Sequence, residues 1–294
     1  MLDVIVALLP ALGMAVYLFG PRVLALTLVS VAACVGAEYG YRRLMGLSNT
    51  VGDLSACVTG LLLAFNLPAG LPVWMSLVGA FIAIVIIKQL FGGLGYNFAN
   101  PAIVGRIAMA LGFTGAMTSY TYPENGIDAL ASATPLAVEE TAQNAGSYVT
   151  LLLGNHGGVL GETCAITLLI GGIYLIWTKV ISPTIPVTYL ATVAVFSLLC
   201  GYDPIYQLLS GGLMLGAFFM ATDYVTSPTT TKGKIVFGLG LGVITCAIRF
   251  LGTMNEGVSF AILLMNLLVP YIEILTRQDR LGIAKTKKKE GAAK

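Results

Sequence analysis

The chain has 294 residues, of which 57% carry apolar side chains and 10% are charged, and its net charge is +2. Soluble domains carry about 25% charged residues, so this composition and a mean hydropathy of +0.87 exclude a soluble enzyme, a disordered chain and a disulfide scaffold, and nothing in the charge suggests nucleic acid. The composition predicts an all-α polytopic membrane protein.

Apolar runs separated by Pro, Gly and charged residues predict about ten transmembrane helices. In chain order they are expected near residues 2–19, 22–40, 50–67, 71–91, 100–117, 159–178, 182–200, 205–222, 233–251 and 256–275. On this map 13 of the 16 basic residues fall on one side, and cytoplasmic loops carry the excess of Lys and Arg. We therefore expect both termini in the cytoplasm.

One long polar connection, residues 118–147, contains four acidic residues and no Lys or Arg, and the same count puts it outside. It divides a single membrane domain into repeat one (about 1–117) and repeat two (about 148–276), followed by a basic cytoplasmic tail (277–294). Asp53 and Asp203 each precede a hydroxyl–Gly pair and an apolar run. These two stretches lie in the third and eighth predicted spans, and repeats separated by an odd number of spans would have opposite orientations in the membrane. Chance similarity of apolar stretches is the alternative.

Two segments on the predicted cytoplasmic side interrupt the apolar pattern. Residues 91–106 are rich in glycine, and residues 220–234 are rich in hydroxyl groups and include Asp223. Peptide groups without partners cost several kcal/mol in lipid, so such segments are buried in protein or line a cavity. The alternative is an ordinary loop between helices, capped by Asn100 in the first case and Ser227 in the second.

Isolated polar residues carry weaker signals. Arg106 within a span needs a partner or water and favours a functional site, whereas Arg249 is expected to extend towards the outer surface near Gly252. His156 is interpreted as incidental, with a proton carrier as the alternative. Helix capping is expected of the acidic residues near span ends, with an ion path as the alternative: Asp53, Asp203, Glu162 and Asp223.

The five cysteines lie in separate apolar segments without CxxC spacing: Cys34, Cys57, Cys164, Cys200 and Cys246. They are expected to be buried thiols that pack as small hydrophobes. A metal or cluster ligand shared with another protein of a complex is the alternative.

The outer loop contains Asp128-Ala-Leu-Ala-Ser-Ala-Thr134-Pro135. Pro135 favours an extended backbone at Thr134, which leaves its hydroxyl projecting from a stretch of small residues. An unactivated threonine is a poor nucleophile, so any covalent linkage there requires an external enzyme. From the residues alone, a flexible polar loop is the better interpretation.

This stretch resembles the covalent-flavin attachment sequence of the NqrB/RnfD family, whose members are membrane components of the sodium-pumping NADH:quinone reductase and of the Rnf ion-translocating electron-transport complex. Asp128, Ala133 and Thr134 match it, whereas Ala131 stands where Ser or Thr is usual and Ser132 where Gly is usual. Four further stretches resemble the family in order along the chain: residues 92–106, 157–164, 219–233 and 255–273. The closer match is to the Rnf version.

The resemblance implies two flavins. A flavin transferase would attach FMN through its phosphate to Thr134, within a loop formed by Asp128, Ser132, Ala133 and Pro135. A non-covalent riboflavin would lie towards the cytoplasmic half, for which Asn97, Asn100 and Asp223 are our candidate contacts. No catalytic residue and no metal ligand is expected.

The resemblance also implies an inverted five-helix repeat similar to urea-transporter-like folds, in the cytoplasmic (inner) membrane of a bacterium or archaeon. The chain would carry electrons in an Rnf complex that couples ferredoxin–NAD electron transfer to Na⁺ or H⁺ translocation. Its partners would be an FMN-bearing subunit, iron–sulfur subunits, small membrane subunits and lipid. A stand-alone permease or channel of the urea-transporter type, which would not need the Thr134 motif, is the alternative, and a scaffold that has lost its flavin is a third possibility.

Overall fold

The computed structural model describes residues 1–120, 148–154, 156–162, 164–252 and 257–277, and this part of the chain is helical, with one isolated β-bridge between Pro68 and Val159. In the first half the helices are α1 (Leu2–Phe19), α2 (Arg22–Leu44), α3 (Ser55–Phe65), α4 (Val73–Phe81), α5 (Pro101–Gly112) and α6 (Thr114–Met117). In the second half they are α7 (Tyr148–Leu153), α8 (Ala165–Trp177), α9 (Thr184–Cys200), α10 (Pro204–Leu209), α11 (Leu213–Leu215), α12 (Thr231–Leu251) and α13 (Val258–Thr276).

The expected class, an all-α polytopic membrane protein, is confirmed. Four of the described helices, α1, α2, α12 and α13, are long and apolar enough to cross a membrane, and five shorter apolar helices accompany them. The 11-residue helix α3 rises only about 16 Å at 1.5 Å per residue. Such a helix crosses about half of a ~30 Å hydrocarbon core.

Several predicted spans differ from the observed helices. The span expected over 50–67 is a short 3₁₀ turn at Val51–Asp53 followed by α3, and the span expected from 159 begins at Ala165. The span expected over 205–222 is divided between α10 and α11 at residues 210–212. Gly211, with φ 67°, adopts there a backbone conformation that is accessible mainly to glycine. The Ser-Gly-Gly sequence was the available signal for this break.

Non-helical backbone from the two halves meets inside the molecule. The amide of Gly161 donates to the carbonyl of Phe65 at 2.7 Å, and the amide of Leu160 donates to that of Leu67 at 3.1 Å. A Cβ on Gly161 would lie 2.9 Å from the Phe65 carbonyl oxygen, so glycine permits this approach. The bonds satisfy carbonyls that the end of α3 leaves without a helical partner.

The two halves pack in corresponding ways. In the first half α2 packs against α3 and α4, and in the second α9 packs against α10 and α12. Between the halves, α1 packs on α8 and α5 packs on α13. Both interrupted segments are only partly buried: Asn97, Asn100 and Thr226 are buried, whereas Tyr96 and Tyr224 are exposed.

Candidate functional site

A cleft of about 730 Å³, its open mouth included, lies where the start of α3, the start of α5 and the connection 221–230 converge. Its apolar walls come mainly from Val58 and Leu62 of α3 and from Phe218 and Phe219 after α11. Ligand pockets typically combine apolar walls with a few placed polar groups. Met1 also lines the cleft, so the cleft reaches the end of the bundle where α1 begins.

All three predicted polar contacts line this cleft: Asn97, Asn100 and Asp223. The interrupted segments predicted at 91–106 and 220–234 contain the connections 90–100 and 221–230, which are loops between helices and border the cleft. Each segment is therefore both an ordinary loop between helices and part of the lining of a cavity, which were the two interpretations of the sequence.

Asn100 caps α5, as the Asn-Pro sequence predicts. Its side-chain oxygen accepts from the amide of Ala102 at 3.0 Å, while its Nδ2 donates to the carbonyl of Met220 at 3.3 Å. Asn97, which is 7% exposed, donates through Nδ2 to the carbonyl of Ala99 at 3.1 Å. Asn100 thereby connects the two loops, and Asn97 stands on the wall beside it.

Asp223 lies in the loop between the helices, where its carboxylate accepts from the Val225 amide at 3.4 Å and from the Thr226 hydroxyl at 3.2 Å. Burial raises the pKa of this carboxyl, against the lowering effect of those hydrogen bonds. The cap predicted at Ser227 is wrong. Thr230 caps α12 instead, with its hydroxyl accepting from the Gly233 amide at 3.0 Å.

Among the polar cleft residues that sequence analysis missed are Lys88 and Ser55. Lys88 is 2% exposed, and its Nζ lies 2.8 Å from Oε2 of Glu38 and 2.5 Å from Oγ of Ser55. In the sequence Lys88 counted only as a cytoplasmic charge. A lysine directly after Ala-Ile-Val-Ile-Ile was nevertheless a detectable signal, because a charge within an apolar run needs a partner.

Two π-helical turns border the cleft. One, Ile82–Gln89, continues α4 and carries Lys88, and the other, Gly216–Met220, continues α11 and carries Phe218 and Phe219. Such turns are rare in proteins, and those that do occur are often found at functional sites. Both place cleft residues out of register with an ordinary α-helix.

A second polar cluster lies apart from the cleft. Arg106 of α5, the residue flagged inside a span, forms an ion pair with Glu162 at 3.8 Å and donates to the hydroxyl of Ser259. Glu162 therefore does not cap α8, whose N-cap residue is Cys164. The expectation for capping is met at Asp203, the N-cap residue of α10, which accepts from the Ile205 amide at 2.9 Å. The N-cap residue of α3 is Leu54, and Asp53 just before it accepts from the Ser55 amide at 2.7 Å.

Arg249, which was expected to extend towards the outer surface near Gly252, is half-buried and bonds to protein groups. Its guanidinium turns inward and donates to the carbonyl and the side-chain oxygen of Gln207 at 2.8 and 3.0 Å and to the carbonyl of Ser210 at 3.1 Å. The break between α10 and α11 exposes the Ser210 carbonyl, and Arg249 satisfies it. His156 is 7% exposed and lies outside the cleft lining.

The five cysteines are free thiols. Three are buried as expected, Cys57 is half-buried and Cys200 is exposed. Among the described residues no group of three or more His, Cys, Asp or Glu could hold a metal ion.

The motif residues Asp128, Ser132, Ala133, Thr134 and Pro135 lie outside the described residues. Directly after this segment of the chain, the Tyr148 hydroxyl at the start of α7 donates to the carboxylate of Asp203. This bond raises the pKa of the exposed Tyr148 hydroxyl, because the neighbouring carboxylate disfavours its ionisation.

Comparison with known proteins gives consistent matches along the chain. The model of the NQR2, RnfD, RnfE family matches residues 1–282. The D subunit of the Na(+)-translocating ferredoxin:NAD(+) oxidoreductase complex of Acetobacterium woodii is 48% identical over 99% of this chain and 93% of its own length. The D subunit of the proton-translocating ferredoxin:NAD(+) oxidoreductase complex of Clostridium ljungdahlii is 40% identical, over 96% of this chain and 91% of its own.

A more distant relative agrees. The D subunit of the ion-translocating oxidoreductase complex of Actinobacillus succinogenes is 35% identical over 96% of this chain and 93% of its own length. The family resemblance seen in the motifs is thereby confirmed.

Proposed function

Because the chain belongs to the NQR2, RnfD, RnfE family, we propose that it is the electron-carrying RnfD membrane protein of an Rnf complex. In such a complex, electron transfer between reduced ferredoxin and NAD is coupled to Na⁺ or H⁺ translocation, as the names of the relatives from Acetobacterium and Clostridium state for theirs. The chain has no Rossmann glycine pattern and no cysteine set for an iron–sulfur cluster. Oxidation of ferredoxin and NADH therefore belongs to partner subunits: an FMN-bearing subunit, iron–sulfur subunits and small membrane subunits.

The observation that carries the redox role is the cleft. Asn97, Asn100 and Asp223, selected from the sequence as riboflavin contacts, all line it, opposite apolar walls that include Phe218 and Phe219. A flavin ring is flat, with an apolar benzenoid end and a polar pyrimidine edge that donates and accepts hydrogen bonds. The chemistry of the lining suits such a ring, because it combines amide groups with aromatic and aliphatic side chains.

A bound riboflavin would supply one- and two-electron chemistry that the side chains of this protein lack. The protein contributes binding, orientation and electrostatics. Asn97 would offer its amide to the ring, Asn100 fixes the start of α5 against the carbonyl of Met220, and the apolar residues would limit access of water.

Covalent FMN at Thr134 is the second part of the proposal. It is supported by the match at Asp128, Ala133 and Thr134 and by the position of the motif in a loop without basic residues. A flavin transferase would form the phosphoester, and the basic-residue distribution favours an outer location for this loop and a cytoplasmic location for both termini and the cleft.

The division into two inverted repeats belongs to the same proposal. It is supported by the corresponding packing of α2 on α3 and α4 and of α9 on α10 and α12. It is supported further by short or interrupted helices in both halves, α3 in the first and α10 with α11 in the second, because discontinuous helices are typical of inverted-repeat membrane proteins.

The decisive experiment is flavin analysis of the complex purified after co-expression with its flavin transferase. We expect a band of this protein that fluoresces under ultraviolet light on a denaturing gel, and riboflavin in the acid-soluble extract. Thr134→Ala should abolish the band, whereas the control Thr141→Ala in the same loop should retain it. A dark wild-type band with no extractable flavin would contradict the redox role and favour a permease.

A further inference from the structure

One ion pair stands in the wall of the cleft. Lys88 and Ser55 line it, and the Nζ of Lys88 contacts Oε2 of Glu38 at 2.8 Å and Oγ of Ser55 at 2.5 Å. Glu38, on α2, does not line the cleft, and its other oxygen accepts from the Thr50 hydroxyl at 2.6 Å. Lys88 and Ser55 therefore stand between the cleft and the carboxylate of Glu38.

This order produces a local dipole with its positive end towards the cleft. Both groups are almost inaccessible, since Lys88 is 2% exposed and Glu38 is 0% exposed. Water therefore screens them little, and an effective dielectric near 20 applies in place of 80. A charge placed in the cleft feels the ammonium more strongly than the more distant carboxylate.

The helix ends around the cleft act in the same direction. Ser55 is the first residue of α3 and Pro101 the first residue of α5, and both line the cleft. The start of a helix carries a partial positive charge from its amides. Among the described residues of the lining, Asp223 is the one that carries a carboxylate, and hydrogen bonds from Val225 and Thr226 engage its oxygens.

We propose that Lys88 raises the redox potential of the flavin in the cleft, and that Glu38 is the positioning residue that holds the ammonium and offsets part of its charge. The inference rests on the proposed function, because it requires a flavin in this cleft. A flavin that accepts electrons gains negative charge unless protons follow. The ammonium of Lys88 therefore stabilises the reduced form more than the oxidised form.

The proposal predicts opposite effects at the two ends of the pair. Lys88→Met removes the positive charge and leaves the carboxylate of Glu38, so the flavin becomes harder to reduce. Glu38→Gln removes the negative charge and leaves the ammonium, so the flavin becomes easier to reduce. Mere damage to the cleft would not give shifts of opposite sign.

The test is a reductive titration of the whole complex, monitored by flavin absorbance. The complex carries Thr134→Ala so that the proposed covalent FMN does not contribute to the signal. The flavin of the cleft is identified as the component missing from Asn97→Ala. At a fixed solution potential the ratio of reduced to oxidised flavin should fall about tenfold in Lys88→Met and rise in Glu38→Gln. It should stay within about twofold in the charge-conserving Lys88→Arg and in the control Lys232→Met, an exposed lysine on α12.

Shifts in the same direction in Lys88→Met and Glu38→Gln, or no shift while riboflavin is retained, would overturn the inference alone. Absence of non-covalent flavin from the wild-type complex would overturn the proposed function and the inference with it. If Lys88→Met does not assemble, Glu38→Gln and Lys88→Arg decide the question, since an unchanged ratio in Glu38→Gln contradicts the proposal.

Discussion

Arg106 and Glu162 join the two halves of the chain across its interior. A guanidinium nitrogen of Arg106 on α5 lies 3.8 Å from a carboxylate oxygen of Glu162, in the segment that leads into α8. Arg106 is 6% exposed and Glu162 3% exposed. The oxygen also lies beside Gly212, where a Cβ would approach it to 2.9 Å, so the pair abuts the break between α10 and α11.

Breaking this pair should destabilise the protein. Glu162→Gln leaves the guanidinium without its carboxylate, and Arg106→Gln leaves a buried carboxylate, each at a cost of about 3 kcal/mol. The double variant should be more stable than the sum of the two losses predicts, because neither charge then remains. Thermal unfolding in detergent measures the effect, with the exposed Arg43→Gln as the control, and additive losses would show that the residues are not coupled.

Removal of polar groups from the cleft should weaken flavin retention. In Asn97→Ala the riboflavin recovered from the purified complex should fall about tenfold, the effect of one lost hydrogen bond of ~1.4 kcal/mol. Asn49→Ala is the matched control, because Asn49 is exposed and lies outside the cleft. Full riboflavin occupancy in Asn97→Ala would place the flavin elsewhere.

The contact between α1 and α8 should tolerate no side chain at Gly171. A Cβ there would lie 2.3 Å from the carbonyl oxygen of Ala7, a backbone atom, and 3.0 Å from the ring of Phe219. Gly171→Ala should therefore lower the free energy of unfolding by about 1–3 kcal/mol. Gly13→Ala, on α1 with nothing within 4 Å of the added Cβ, should leave it unchanged or raise it, and equal effects of the two substitutions would refute the packing.

The orientation in the membrane should place residues 48 and 119 on opposite sides. Ser48 follows α2 and Ser119 follows α6, and both are exposed. In a background without the five native cysteines, a membrane-impermeant maleimide added to intact cells should label Ser119→Cys and not Ser48→Cys. Both should be labelled after permeabilisation, and the reverse pattern in intact cells would invert the proposed topology.

Local features of the sequence predicted the class, most helix positions and the cleft-lining loops. The apolar runs required helices, because in lipid backbone groups must be satisfied internally. Asn100-Pro101 marked the start of α5, because a helix can begin but not continue through proline. The polar residues Asn97, Asn100 and Asp223 were identified for a related reason, since polar groups next to broken backbone at membrane depth need partners or a cavity.

The tertiary structure alone decided which distant residues meet. Lys88 contacts Glu38, Arg106 contacts Glu162, and Gly161 bonds to Phe65, and no local pattern specifies these partners. Each pairing depends on how whole helices pack, which is set by the shapes of many side chains together. Composition and periodicity therefore determined that polar groups would be buried here, whereas packing determined what each would touch and hence the electrostatics of the cleft.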